Sequence, residues 1–324
     1  MTGPFKGSSS NDQLAAPHAV VVQRLSSKLV AGFGFTGVSG LGSDWRNVQN
    51  VPNLVADLGL FGANMSAAYQ VSDQLSIGGT FTLGIANLEA GLTDNSANTH
   101  QFAISGSVGA TYDAGIVVLG LAYKGPLEVE YKNMIETSPD VFSNFTLEQP
   151  QEVQFGIATG RGFSDNTIIE LDFRYKNWDN ADGYNSFWKD QYIYSLGGQH
   201  KIGNIYVRAG YSYNSEIAKD SNDLGNAFGE ILFVKNPGFG TGTDPTQPPS
   251  IPVTPTFLQL AQATIADGHW QQSVSVGLGL EVPQTNIRLD VNTSYAFDGE
   301  TELGPFHNDG SLFTAGMGLT WSFE

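Results

Sequence analysis

The chain has 324 residues, 15 Lys and Arg against 32 Asp and Glu for a net charge of −17, and no cysteine. This surplus of acid leaves nothing to neutralise phosphates, which excludes a nucleic-acid partner. No stretch of eighteen or so uncharged apolar residues occurs, which excludes a transmembrane helix. The length is enough for one large all-β domain or two ordinary ones, and the lack of cysteine fits an envelope protein and a cytosolic one equally. No charged-then-apolar leader precedes the body of the chain, so it reads as a mature form or as one missing its start.

Runs of period two punctuated by Gly, Asn, Asp, Ser or Pro recur along the sequence. They predict strands near 17–24, 28–38, 60–71, 74–89, 99–112, 115–124, 145–161, 166–178, 190–202, 204–215, 270–282, 285–297 and 309–323, about thirteen in all. Residues 1–16 stand apart as a short polar N-terminal piece, and 17–324 read as one β domain with a long connection at 216–269. Within that connection the Gly- and Pro-rich stretch Asn236–Pro255 is irregular or polyproline-like.

The stretch Ile168–Trp178, IIELDFRYKNW, places Glu170, Asp172, Arg174 and Lys176 between Ile169, Leu171, Phe173 and Tyr175. The same alternation sets Arg208 between Val207 and Ala209, and Arg288 and Asp290 among Ile287, Leu289 and Val291. A soluble antiparallel sheet gives this pattern with its charged row in water. A membrane barrel gives it with the apolar row in lipid and the ionic row, here Glu170, Asp172, Arg174, Lys176, Arg208, Arg288 and Asp290, lining the lumen.

Three features favour the barrel. The connections alternate strictly in length: tight at 26–27, 72–74, 113–114, 162–165, 203 and 283–284, long at 39–59, 90–98, 125–144, 179–189, 216–269 and 298–308. Tyr69, Tyr112, Tyr123, Trp178, Tyr213 and Tyr295 fall near strand ends, where interfacial girdles belong. The last strand sets Phe313, Ala315, Met317, Leu319, Trp321 and Phe323 on one face, and closing the sheet would remove its exposed edges. The expectation is an all-β transmembrane antiparallel barrel in a bacterial outer membrane, with membrane lipid around it.

From about Phe61 onward the order of features resembles the FadL/TodX family of outer-membrane transporters of long-chain fatty acids and hydrocarbons. The matching stretches are MSAAYQVSDQLSIGGTF (Met65–Phe81), LEQPQEVQFGIA (Leu147–Ala158), IIELDFRYKNW, DQYIYSLGGQHKIGNIYVRAGYSYNSE (Asp190–Glu216) and the terminal GLTWSF. The resemblance implies fourteen strands, an N-terminal hatch plugging the barrel, and passive uptake of hydrophobic ligands that leave sideways through a kinked early strand. About thirteen strands are visible, so the first strand and the hatch are expected to be missing from this sequence; residues 1–16 carry no recognisable hatch motif.

Strand 28–38 corresponds to the kinked strand, and its Gly32, Gly34 and Gly37 weaken pairing and admit a bulge, making them the lateral-exit candidates. The family's large outer loop corresponds to Ala90–Asn98, which is too short to form a groove; Phe257, Leu258 and Leu260 in the 216–269 connection are the substitute ligand-capture candidates. Ala86 and Leu88 stand where a basic residue for a fatty-acid carboxylate is expected. The five histidines are dispersed, no nucleophile elbow or Walker loop occurs, and DNADG (Asp179–Gly183) lacks full calcium-loop spacing. Neither catalysis, nor a metal, nor a cofactor is expected. The reading is a channel for small hydrophobic molecules; the alternative is a structural barrel whose partners are other envelope proteins.

Overall fold

The computed structural model describes residues 15–44, 46, 55–91, 97–138, 141–185, 188–219, 270–303 and 306–323. Six strands follow one another first: β1 (Ala19–Arg24), β2 (Leu29–Asp44), β3 (Val55–Gln70), β4 (Leu75–Gly91), β5 (Ala97–Asp113) and β6 (Val117–Lys124). A hairpin of β7 (Leu127–Ser138) and β8 (Val141–Gln149) interrupts them. The series resumes with β9 (Glu152–Thr159), β10 (Thr167–Lys176), β11 (Gln191–Ile202), β12 (Ile205–Asn214), β13 (Gln272–Glu281), β14 (Ile287–Leu303) and β15 (Phe306–Trp321). Thirteen strands form one sheet in chain order, and β7 and β8 form a separate two-stranded sheet.

The register shows what the alternation is for. One row of paired residues runs Tyr112, Leu119, Ile157, Leu171, Leu196, Tyr211, Val274, Tyr295, Phe313 across nine strands without a charge. The neighbouring row runs Thr111, Gly120, Gly156, Asp172, Ser195, Ser212, Ser273. In a soluble sheet the apolar row would be buried on a core. Here it is open, with Leu171 and Leu196 each 52% exposed and Phe313 67%, so its solvent is lipid. The fold is a transmembrane antiparallel β-barrel, with the polar row turned into the lumen.

Short turns join the strands at one end: residues 25–28, 71–74, 114–116, 160–166, 203–204 and 282–286. All long connections leave from the other end. The tight turns are built locally, by Ser hydroxyls accepting backbone N–H groups at Ser26 and Ser72 and by left-handed Gly115 and Gly203. Tyr69, Tyr112, Tyr123 and Tyr213 stand on the outer face near strand ends. Tyr112 and Tyr123 donate their hydroxyls to Gln74 and Gln151 at 3.2 and 3.0 Å, keeping the polar tip of each ring satisfied at the edge of the apolar band.

Three expectations need correction. The connection expected at 298–308 is largely strand, since β14 runs to Leu303 and β15 begins at Phe306, so connection lengths do not alternate strictly and Tyr295 lies in mid-strand rather than near a strand end. Residues 125–144 are not a loop and 145–161 is not one strand: β7, β8 and β9 occupy this region, divided at Pro150, which has no N–H to continue a ladder. Trp178 is not an interfacial anchor, because it is buried against Tyr184 and Trp188. The wall is also uneven in height. Strands β2 to β5 have 16 or 17 residues while β6 and β9 have 8.

β1 and β15 end the sheet, and no pairing joins them among the described residues. Both run toward the short-turn end, so an antiparallel strand between them would have to run the other way.

The two faces differ testably. Leu171→Arg on the lipid face should destabilise the barrel by about 2–4 kcal/mol if it lies near the bilayer midplane. Asp172→Asn in the lumen should leave folding nearly intact. Heat-modifiable gel mobility of the two variants reads the difference; equal tolerance would contradict the assignment of faces.

Candidate functional site

The lumen is layered. At the long-connection end, the inner faces of β3, β4 and β5 present Leu58, Leu60, Ala86, Leu88 and Ala103, covered by Leu127, Val129, Tyr131 and Met134 of β7. Val38, Phe145 and Leu147 complete this cluster. The hairpin therefore folds inward and packs as a second layer on the tall part of the wall. Its first contact is tight: a Cβ at Gly84 would stand 3.0 Å from Leu127 Cδ1, so a residue without a side chain lets Leu127 reach full burial.

A second buried group supports the hairpin from outside the cluster. Trp178, Tyr184 and Trp188 pack mutually, with ring centroids 4.6–5.0 Å apart. The Gln149 amide donates to the Tyr184 hydroxyl at 3.4 Å, and the Glu148 backbone N–H donates to the Asp182 carbonyl at 2.9 Å. Gly183 has φ of +81°, and a Cβ there would lie 2.5 Å from the Thr146 carbonyl oxygen, so only glycine allows this loop to seat on β8. Burial pushes the Tyr184 phenol up to about 12, and burial with Asp182 and Glu128 nearby raises the Glu148 carboxyl.

Below the apolar layer the lumen is ionic on one side. Near the upper ends of β6, β9 and β10, Lys124, Arg174 and Lys176 surround Glu152 at 3.3, 3.8 and 4.0 Å. Toward the short turns, Arg208 and Arg288 grip Asp290 at 2.7 and 2.8 Å, and Lys201 pairs with Glu281 at 2.9 Å. Tyr206 donates its hydroxyl to Glu281, and Lys201, Arg208 and Arg288 lie 4.9, 5.5 and 5.7 Å from its ring centre. Glycines make room for these flat-lying chains: a Cβ at Gly279 would be 2.6 Å from Asp290 Oδ1, and one at Gly156 2.5 Å from Asp172 Oδ1. A cavity of about 610 Å³ extends along β1 to β6, β9 and β10, lined by small and hydroxyl residues such as Ser66, Thr80 and Ser107 together with Glu170 and Asp172.

Of the sequence-derived candidates, Arg174 and Lys176 meet at Glu152, and Arg208, Arg288 and Asp290 meet in the lower network. Gly32 and Gly34 pair in unbroken ladders with both β1 and β3. A side chain at Gly34 would press on Val20 Cγ2 at 3.1 Å, so a larger residue there would strain the pairing. Gly37 does flank a bulge, between Gly37 and Ser39. Phe257, Leu258 and Leu260 lie outside the described residues. Sequence reasoning missed the β7 contribution, although Leu127, Val129 and Tyr131 alternate with Glu128, Glu130 and Lys132. Ala86 and Leu88, read only as a missing basic site, are part of the apolar wall itself.

No family model matches the sequence, and no curated protein matches it. The fold is similar to solved structures at low identity. The toluene transporter TodX of Pseudomonas putida is 16% identical with a TM-score of 0.60, covering 95% of this chain and 82% of that one. The toluene transporter TbuX of Ralstonia pickettii is 15% identical, with a TM-score of 0.56 over 87% of this chain and 76% of that one. A FadL homologue of Pseudomonas aeruginosa is 13% identical, with a TM-score of 0.59 over 94% and 76%. These likenesses establish a FadL/TodX-type barrel fold.

Among the described residues the hairpin shares no strand ladder with the wall, so its stability should be separable from the barrel's. Leu127→Ala removes a side chain with no exposed surface and should cost the hairpin about 2–5 kcal/mol. Limited proteolysis should then cut between β7 and β8 while heat-modifiable mobility persists. Loss of both together would show that the hairpin belongs to the wall.

Proposed function

We propose that this protein is an outer-membrane channel admitting small hydrophobic molecules by passive diffusion, with lateral exit into the bilayer. The carrying observation is the layering of the lumen. An apolar molecule entering at the long-connection end meets Leu58, Leu60, Ala86, Leu88 and Ala103 under a hairpin, where it is stabilised by leaving water. Farther down it would have to desolvate Arg208, Asp290, Arg288, Lys201 and Glu281, which are satisfied by one another. The lower lumen therefore opposes an apolar passenger, and a sideways route avoids that cost.

The apolar character of Ala86 and Leu88 favours hydrocarbons over fatty acids as the passenger. The toluene transporters among the similar folds support the same class. In this reading the short turns face the periplasm and the long connections face outside. The alternative, a structural barrel serving other envelope proteins, gains from the inward hairpin, which narrows the mouth.

Uptake separates the two. Cells relying on this protein should take up toluene faster than cells lacking it, with a weaker effect on oleate. Equal toluene uptake by both would overturn the channel reading in favour of the structural one.

A further inference from the structure

Among the described residues no ladder ties the β7–β8 hairpin to the wall. Its two legs leave the wall at prolines, Pro126 after β6 and Pro150 before β9, and neither has an N–H with which to carry the pairing on. The foot is fastened by Gly125, whose N–H donates to the Gly106 carbonyl at 2.8 Å and whose carbonyl accepts from Ser105 Oγ at 3.0 Å. Above that foot the hairpin meets the wall through side chains, with Leu127, Val129, Tyr131 and Met134 pressed on the apolar inner face of β3 to β5. It is built as a flap with a hinge and a greasy seat.

The face turned away from the seat is acidic. Glu128 and Glu148 are directly paired across the two strands, and Glu130 is the next residue of β7 on the same face. Side chains so placed have Cβ atoms about 4.5–5.5 Å apart, and like charges directly opposite destabilise a sheet. Asp182, whose carbonyl accepts from the Glu148 backbone N–H at 2.9 Å, adds a third carboxylate beside this pair. The cations nearby are committed elsewhere: Lys124, Arg174 and Lys176 gather round Glu152 at the foot, and Lys219 pairs with Asp179 at 2.6 Å. Lys132 stands farther along β7 than Glu128, roughly 13 Å away by strand rise. Glu130 accepts from the neutral Asn144 amide at 2.8 Å.

Burial, then Asp182 and Glu128, raises the Glu148 carboxyl above its ordinary range. A carboxyl raised in this way holds its proton more readily in the seated hairpin than in a released one. The seated form is therefore favoured at low pH, and the advantage is lost as pH climbs from the ordinary glutamate value of about 4.3 through the raised one. Salt screens the same repulsion and acts in the same direction as acid.

We propose that the β7–β8 hairpin is a pH-responsive gate at the long-connection end of the barrel, seated and narrowing the mouth while Glu148 is protonated, and released about Pro126 and Pro150 when Glu128, Glu148 and Asp182 are all ionised. Each part of the device is needed. A hairpin laddered to the wall could not leave without breaking backbone pairs, and one with lysine opposite Glu148 would have no charge to drive it off. The movement of the hairpin is independent of what the barrel carries, whereas its effect on passage rests on the uptake reading above.

Movement and passage are tested separately. The chain has no cysteine, so Lys132→Cys on the hairpin and Val276→Cys on the wall can carry a nitroxide pair whose separation is read by pulsed electron paramagnetic resonance. The distance distribution should be narrow at about pH 4 and at least about twofold broader at about pH 8. Glu148→Gln should keep it narrow at both, and Glu128→Gln should give an intermediate width at the higher pH. A width that is unchanged or falls as pH rises overturns the gate, as does a Glu148→Gln protein as broad at the higher pH as the unaltered one. In cells, toluene uptake should be severalfold slower at about pH 5 than at about pH 8, and equally slow at both with Glu148→Gln. Uptake that ignores pH while the distances respond shows a moving hairpin that gates nothing and overturns the proposal. If the unaltered protein takes up no toluene at either pH, the channel reading falls, and the distances alone still decide whether the hairpin is released.

Discussion

In hydrocarbon a backbone N–H or C=O has no water to turn to, so each must find a partner within the protein. The remaining features of this barrel follow from how that constraint is met. Pairing fixes the registers, on both sides for every strand of the sheet but β1 and β15 among the described residues, and the registers place every second residue in lipid. The uninterrupted apolar row from Tyr112 to Phe313 is the consequence. Where the ladder stops, the polypeptide supplies a local substitute. Ser105 bonds the Gly125 carbonyl at the top of β6, and Ser26 and Ser72 satisfy amides in the tight turns.

With pairing fixed, the lumen is shaped by residue size. The ionic side chains of β10, β12 and β14 lie flat because glycine stands beside them, as Gly156 does for Asp172 and Gly279 for Asp290 and Arg208. Gly84 plays the same part for Leu127, admitting an entire second layer to the upper lumen. One device, a missing side chain, therefore builds both an ionic lower lumen and an apolar upper one. The difference lies in what the facing strand delivers.

Legibility in the sequence followed the same physics. β10, β12 and β14 were readable because one face meets lipid and the other an ionic lumen, which gives strict alternation at Leu171/Asp172, Val207/Arg208 and Leu289/Asp290. The tight turns were readable from their Ser, Asp and Gly residues. The β7–β8 hairpin was not, because Gly125-Pro126 signals a break and a break suggested a loop; a proline that ends one sheet while another begins looks the same in one dimension. Trp178 was misplaced because an aromatic at a strand end fits both a lipid girdle and a buried knot, and only Tyr184 and Trp188 in space distinguish them. The ionic partners of Glu152 come from the two strands on either side of it, β6 and β10, a convergence that single-strand patterns do not carry. The glycines of β2 illustrate the converse: Gly32 and Gly34 look like weak points, yet both sit in complete ladders.

The central claim is that an apolar passenger occupies the upper chamber and leaves sideways without entering the ionic lower lumen. Anomalous diffraction from crystals soaked in bromobenzene addresses it directly, since bromine marks the ligand's position. The account predicts bromine between β7 and the inner face of β3 to β5. Bromine lodged among Lys201, Arg208 and Arg288, with none in the chamber, would contradict it.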